Sequence, residues 1–151
     1  MRKSWIGISV MAGFLLAINV ACGDQPKSLN PNGDSELALL MREMYNDGML
    51  TKQQLLDGKT PEVHVKYKKI HTATKTETLK VNAKDFSAYA TAYETAMDSF
   101  IATDASNKVA AYQLMVNSCM SCHQIVCPGP KVKIQHMFFT EKELATLVTE
   151  K

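Results

Sequence analysis

The chain has 151 residues, of which 46% are apolar and 21% charged, a balance that suits one folded domain and excludes an intrinsically disordered chain. Its formal charge is +2, and without Arg2 and Lys3 the basic and acidic residues balance at fifteen each. No basic block stands out, so nucleic acid is not an expected partner.

Met1-Arg2-Lys3 is a positive start, and Ile6 to Val20 is almost wholly apolar and ends in small residues at Ala21, Cys22 and Gly23. A basic segment, a short apolar run and a small-residue site make a secretory signal, too short to read as a spanning helix. Cys22 resembles the lipobox cysteine of bacterial lipoproteins, which is lipidated after cleavage before it; Ala21 fits that pattern and Asn19 departs from it. Residues 1–21 are therefore expected to be a lipoprotein signal peptide, with ordinary cleavage or an uncleaved anchor as alternatives. Residues 22–34, rich in Gly, Pro, Ser and Asn, read as a flexible tether. The remainder would then face an oxidising, periplasmic compartment, anchored to a membrane through Cys22.

Asp34 and Ser35 are placed to cap a helix beginning at Glu36, in which Leu37, Leu40, Met41 and Met44 recur at helical spacing. Gly48 weakens this helix, Thr51-Lys52-Gln53-Gln54 resembles a capping box that restarts it, and Gly58 and Pro61 mark its stop. A weaker second helix carries Val63, Tyr67 and Ile70, and Thr72 to Lys80 reads as a loop. A third helix is capped by Asn82 and carries Phe86, Tyr89, Tyr93, Met97 and Phe100 as one stripe. A fourth opens at Asp104, and Val109, Tyr112, Val116, Cys119 and His123 continue the same spacing up to Pro128-Gly129-Pro130. After it, Lys131 to Phe139 could be extended, and Thr140-x-x-Glu143 opens a short last helix. The expectation is an all-α antiparallel four-helix bundle over residues 35–127, with a C-terminal extension over 128–151.

The chemistry is concentrated in Cys119-Met120-Ser121-Cys122-His123. Residues three and four apart share a helix face, so Cys119, Cys122 and His123 project together. Two thiols at that spacing can add across two vinyl groups of a porphyrin while the imidazole binds its iron. C-x-x-C-H is the signature of one covalent c-type haem, with Cys119 and Cys122 as thioether links and His123 as proximal iron ligand. Two alternatives use the same residues. A redox dithiol needs no following histidine and usually sits in a mixed strand–helix fold. A zinc or iron–sulfur site would take Cys119, Cys122, His123 and Cys127, although no second knuckle of zinc-ribbon spacing is present.

The motif's late position, on the last of four helices, resembles the class II cytochromes c, the four-helix cytochromes c-prime and their low-spin relatives; class I cytochromes carry it near the N-terminus. The resemblance spans about Ser35 to Val126. It implies an electron-transfer protein working with redox partner proteins, not an enzyme, since no distal acid–base set is seen. In the low-spin members a methionine on the first helix is the sixth ligand, and Leu40-Met41-Arg42 through Gly58-Lys59-Thr60-Pro61 looks like that helix. Met41 is thus the expected sixth ligand, with Met44 as its alternative. The gas-binding members keep that position open, and Leu40 or Leu37 would then line the distal pocket. Class II bundles often dimerise through their first two helices, so the resemblance allows a homodimer without fixing the oligomer. The Pro-Gly-Pro extension and Cys127 are departures from the family pattern.

Several other residues have two readings. His71 is the candidate if a histidine takes the sixth site, against solvent exposure for His71, His64 and His136. Arg42 is either a partner for a haem propionate or a surface charge. Lys66 to Lys69 read as a solvated face or a docking site for an acidic redox partner. Cys127 reads as a buried inert thiol or as a redox or intermolecular-disulfide cysteine.

Overall fold

The structure, a computed structural model, describes residues 34–75 and 83–149. The signal peptide, Cys22, most of the tether and the Asn82 cap therefore lie outside the described residues. Among the described residues the chain is all-helical. It has three long helices, α1 (Glu36–Leu56), α2 (Ala83–Ala102) and α3 (Lys108–Ile125), followed by the short α4 (Lys131–Gln135) and α5 (Glu141–Thr149).

Local signals explain the boundaries. The Ser35 hydroxyl accepts from Ala38 N–H at 3.2 Å, which caps α1. At the other end Gly58 has φ 67°. Its N–H donates to Leu55 O at 3.2 Å and that of Lys59 to Gln54 O at 2.8 Å, the paired closure that a left-handed residue permits. α1 does not break between these points. The expected restart at Thr51 is absent, because Thr51 and Lys52 are buried in an unbroken helix instead of exposed at a new N-terminus. The expected second helix is also reduced. Only a 3-10 helix, Tyr67–His71, forms there, with Ile70 as its single buried residue and Val63, Val65 and Tyr67 only partly buried against the core, too little apolar burial to fix a longer helix. Lys131 to Phe139 is helical at its start and not extended.

Asp104 precedes a short 3-10 turn, Ala105–Asn107, that joins α2 to α3. Phe100 late in α2 meets Tyr112 early in α3, with ring centroids 6.1 Å apart, so the two helices run antiparallel. α1 lies antiparallel to α3 as well, because Gly48 stands beside Tyr112 while the earlier Met41 and Met44 reach the later Cys119. Leu37, Leu40 and Met44 of α1, the Phe86–Phe100 stripe of α2, and Tyr112, Met115 and Val116 of α3 make the core. The 61–66 segment is tied to α1 by the buried Asp47, whose Oδ1 accepts from His64 N–H at 3.0 Å.

The C-terminal extension folds back on this core and adds Ile134, Met137 and Phe139 to it. Gly48 is the point of close approach: a Cβ there would overlap the Met137 methyl group. Thr140 and Glu143 form the capping box expected for α5. Glu143 accepts from Thr140 N–H at 2.7 Å, and the Thr140 hydroxyl accepts from Glu143 N–H at 3.2 Å.

Tyr112 is fully buried, and its hydroxyl faces Gly48 O at 3.0 Å and Met137 O at 3.1 Å. One proton serves both carbonyls, so a single phenol joins α1, α3 and the extension. Burial pushes its ionisation well above the usual 10.0. The folded state thus keeps this proton to higher pH than the unfolded chain, and stability is present below pH 10 and declines as pH rises past it. Tyr112→Phe is expected to cost about 1–3 kcal/mol in denaturant unfolding at neutral pH, because two buried carbonyls each lose one donor. The same variant should show a shallower loss of stability above pH 10 than the parent chain.

Candidate functional site

Cys119, Cys122 and His123 lie on the last turns of α3, where the stripe that begins at Val109 reaches the end of the helix. They line a crevice with a volume of about 50 Å³. Met41, Met44 and Tyr45 of α1 face them across it, and Tyr89 and Tyr93 of α2 form one side. Ile70 of the 3-10 helix and Ile134 and Met137 of the extension complete the enclosure. The antiparallel packing of α1 on α3 is what brings Met41 and Met44 to the level of the motif.

The electrostatics follow from burial. The Cys119 thiol is pushed up to about 12, mainly by desolvation and then by the nearby Cys122. Cys122 is pushed up to about 11 by desolvation and by Cys127. Both therefore keep their protons at neutral pH. Their place near the C-terminal end of α3 acts in the same direction, because the helix dipole there disfavours a thiolate. Desolvation also holds His123 below the usual imidazole value, against a smaller upward effect of its hydrogen bond.

That bond fixes the ring. His123 Nδ1 lies 2.8 Å from Cys127 O. A carbonyl only accepts, so Nδ1 carries the hydrogen and Nε2 presents its lone pair. A histidine that ligates metal commonly has this arrangement, its other nitrogen donating to a backbone carbonyl. The turn that ends α3 before Pro128 thus positions the imidazole through the main chain of Cys127, a role its thiol gave no reason to expect.

These residues fit a covalently held haem in their donor chemistry: two protonated thiols one turn apart, a neutral imidazole with its tautomer fixed, and apolar or aromatic walls. The crevice is far smaller than pockets that hold cofactors, which run to about 300–1,000 Å³. The crevice would have to be wider to admit a flat macrocycle. Among the described residues no three His, Cys, Asp or Glu side chains gather as a ready-made metal cage.

The remaining sequence candidates lie elsewhere. Leu37 and Leu40 are buried in the core and do not line the crevice. His71 Nε2 pairs with Glu94 of α2 at 2.7 Å, and His64 and His136 are exposed. Arg42 pairs with Asp34 on the surface. Lys68 bridges Glu94 at 3.3 Å and Asp98 at 3.4 Å, which offsets part of the Lys66–Lys69 charge. The sequence reading missed Met137 and Ile134 as crevice residues. Their signal was the apolar spacing Ile134, Met137, Phe138, but nothing local says where an extension docks.

No protein-family model, curated protein or solved structure matches this chain.

The raised thiols give a direct check. Cys119 and Cys122 in the folded, haem-free chain should react with iodoacetamide at pH 8 more than about tenfold slower than in denaturant. Peptide mass spectrometry assigns each rate, and equal native and denatured rates would contradict the burial described.

Proposed function

We propose that this chain is a monohaem c-type cytochrome that carries single electrons outside the cytoplasm. Cys119 and Cys122 would hold the ring through thioethers, His123 would be the proximal iron ligand and Met41 the sixth, with Met44 as the alternative. When bound, haem iron supplies a reversible one-electron change, and a methionine ligand raises its potential. The observation that carries the reading is the single crevice in which Cys119, Cys122 and a tautomer-fixed His123 face Met41 and Met44.

The chain's own residues supply what such a carrier needs. Tyr93, Ile70, Ile134 and Met137 line the crevice and would keep water from a bound ring, which would favour a steady potential. Cys127 O holds the imidazole hydrogen. In this reading the fold is a variant of the class II four-helix bundle in which the second helix is cut down to the Tyr67–His71 turn. Export, lipidation at Cys22, docking to redox partner proteins and a homodimer belong to the same proposal and rest on the sequence.

The alternatives draw less support. A gas-binding protein with an open sixth position would present Leu37 or Leu40 to the iron, yet the α1 residues on the crevice are Met41, Met44 and Tyr45. Thiol-redox proteins lower the pKa of the attacking cysteine, whereas both thiols here are raised.

The test is the spectrum of the chain made in a host with haem-attachment machinery. Haem should stay with the polypeptide after denaturation, and Cys119→Ala combined with Cys122→Ala should lose it. The reduced form should be low-spin and slow to bind carbon monoxide. Met41→Ala should abolish the low-spin spectrum, while Met44→Ala should retain it. Absence of haem from the denatured chain sinks the proposal, and rapid carbon monoxide binding by the reduced parent sinks the methionine ligation.

A further inference from the structure

The C-terminal extension is more than an appendage to the core. Ile134 and Met137 line the crevice, and three successive carbonyls around Met137 are held by side chains from the long helices. Tyr112 of α3 serves Met137 O. Lys52 of α1 serves the two on either side: its Nζ donates to His136 O at 3.3 Å and to Phe138 O at 2.8 Å. The third ammonium hydrogen meets Glu143 Oε2 at 3.0 Å. Lys52 is only 7% exposed, and its cation also lies 5.5 Å from the centre of the Phe139 ring.

A buried ammonium is costly unless every donor is matched, and here three acceptors meet three donors. All of them belong to the extension. Lys52 therefore ties α1 to the extension through its polar contacts, and these partners lie more than eighty residues away in sequence. The extension is also the one wall with a short helix on either side of its contact segment, α4 and α5. It gives three side chains to the core, against five from α2 and four from α3, and a segment with fewer buried apolar contacts opens at lower free energy. The crevice must widen to hold a macrocycle, and this wall can move without parting α2 from α3.

We propose that residues 134–139 form a movable wall of the haem crevice and that Lys52, through Glu143 and the backbone of His136 and Phe138, is the residue that positions it. The wall then sets how readily a small exogenous ligand reaches the iron. This inference rests on the haem reading for its consequence, though the latch itself does not.

The experiment compares the full chain with Lys52→Met, Lys52→Arg and Glu143→Gln. Hydrogen exchange is measured on the haem-free and haem-loaded forms, and imidazole association with the oxidised loaded form is followed by its absorbance change. Lys52→Met should speed amide exchange across residues 134–144 by about tenfold or more and leave α2 and α3 protected. Imidazole association should rise by about tenfold, with Lys52→Arg restoring much of the difference and Glu143→Gln showing a smaller effect in the same direction. Should Lys52→Met fail to fold, the partly exposed Glu143→Gln carries both readouts. Unchanged exchange over 134–144 in the folded variants overturns the latch. Faster exchange with unchanged imidazole association overturns the gating. Haem lost on denaturation fails the cytochrome proposal instead, and exchange in the haem-free chain still decides the latch.

Discussion

The hydroxyl of Tyr112 lies where three parts of the chain come together, and their mutual placement follows from it. Without its proton, Gly48 O in the middle of α1 and Met137 O in the extension would be buried carbonyls with one fewer donor at a junction closed to water. Gly48 belongs to the same constraint. A side chain at that position would displace the Met137 methyl group, so the residue that lowers helix propensity is the one that allows the extension to approach. Lys52, one turn further along α1, continues the seam by holding the carbonyls of His136 and Phe138. α1 thus offers two adjacent turns to the extension and the two before them, with Met41 and Met44, to the crevice.

The crevice inherits its form from that arrangement. Antiparallel packing sets Tyr112 against Gly48 and, two turns along, Cys119 near Met44 and Met41. At the end of α3 the chain turns before Pro128, and Cys127 O comes round to the imidazole of His123. The helix's own termination therefore fixes the tautomer. Burial does the rest, keeping both thiols protonated and the imidazole neutral. These protonation states disfavour thiolate chemistry at neutral pH.

Much of this was legible in the residues. The amphipathic stripes identified α2 and α3, Ser35 and Gly58 marked the ends of α1, and Thr140 and Glu143 announced α5, because each of these signals acts within a turn or two of itself. Two local signals misled. Thr51-Lys52-Gln53-Gln54 resembles a capping box, yet Thr51 and Lys52 are drawn into the interior by partners far along the chain. Val63, Tyr67 and Ile70 have helical spacing, but with Ile70 alone buried the segment settles as a 3-10 turn held by Asp47, Glu94 and Asp98.

The sequence by itself determined the all-helical class, both ends of α1 and the grouping of Cys119, Cys122 and His123 on one face, since helical periodicity and local caps act within a turn or two. Only the tertiary structure decided which side chains oppose that face. Met41 and Met44 line the crevice while Leu37 and Leu40 do not, the histidines at 64, 71 and 136 lie away from it, and Met137 joins it from an extension the motif did not foretell. The reason is physical: spacing fixes what shares a helix face, whereas long-range contacts such as those of Tyr112 and Lys52 fix which faces meet.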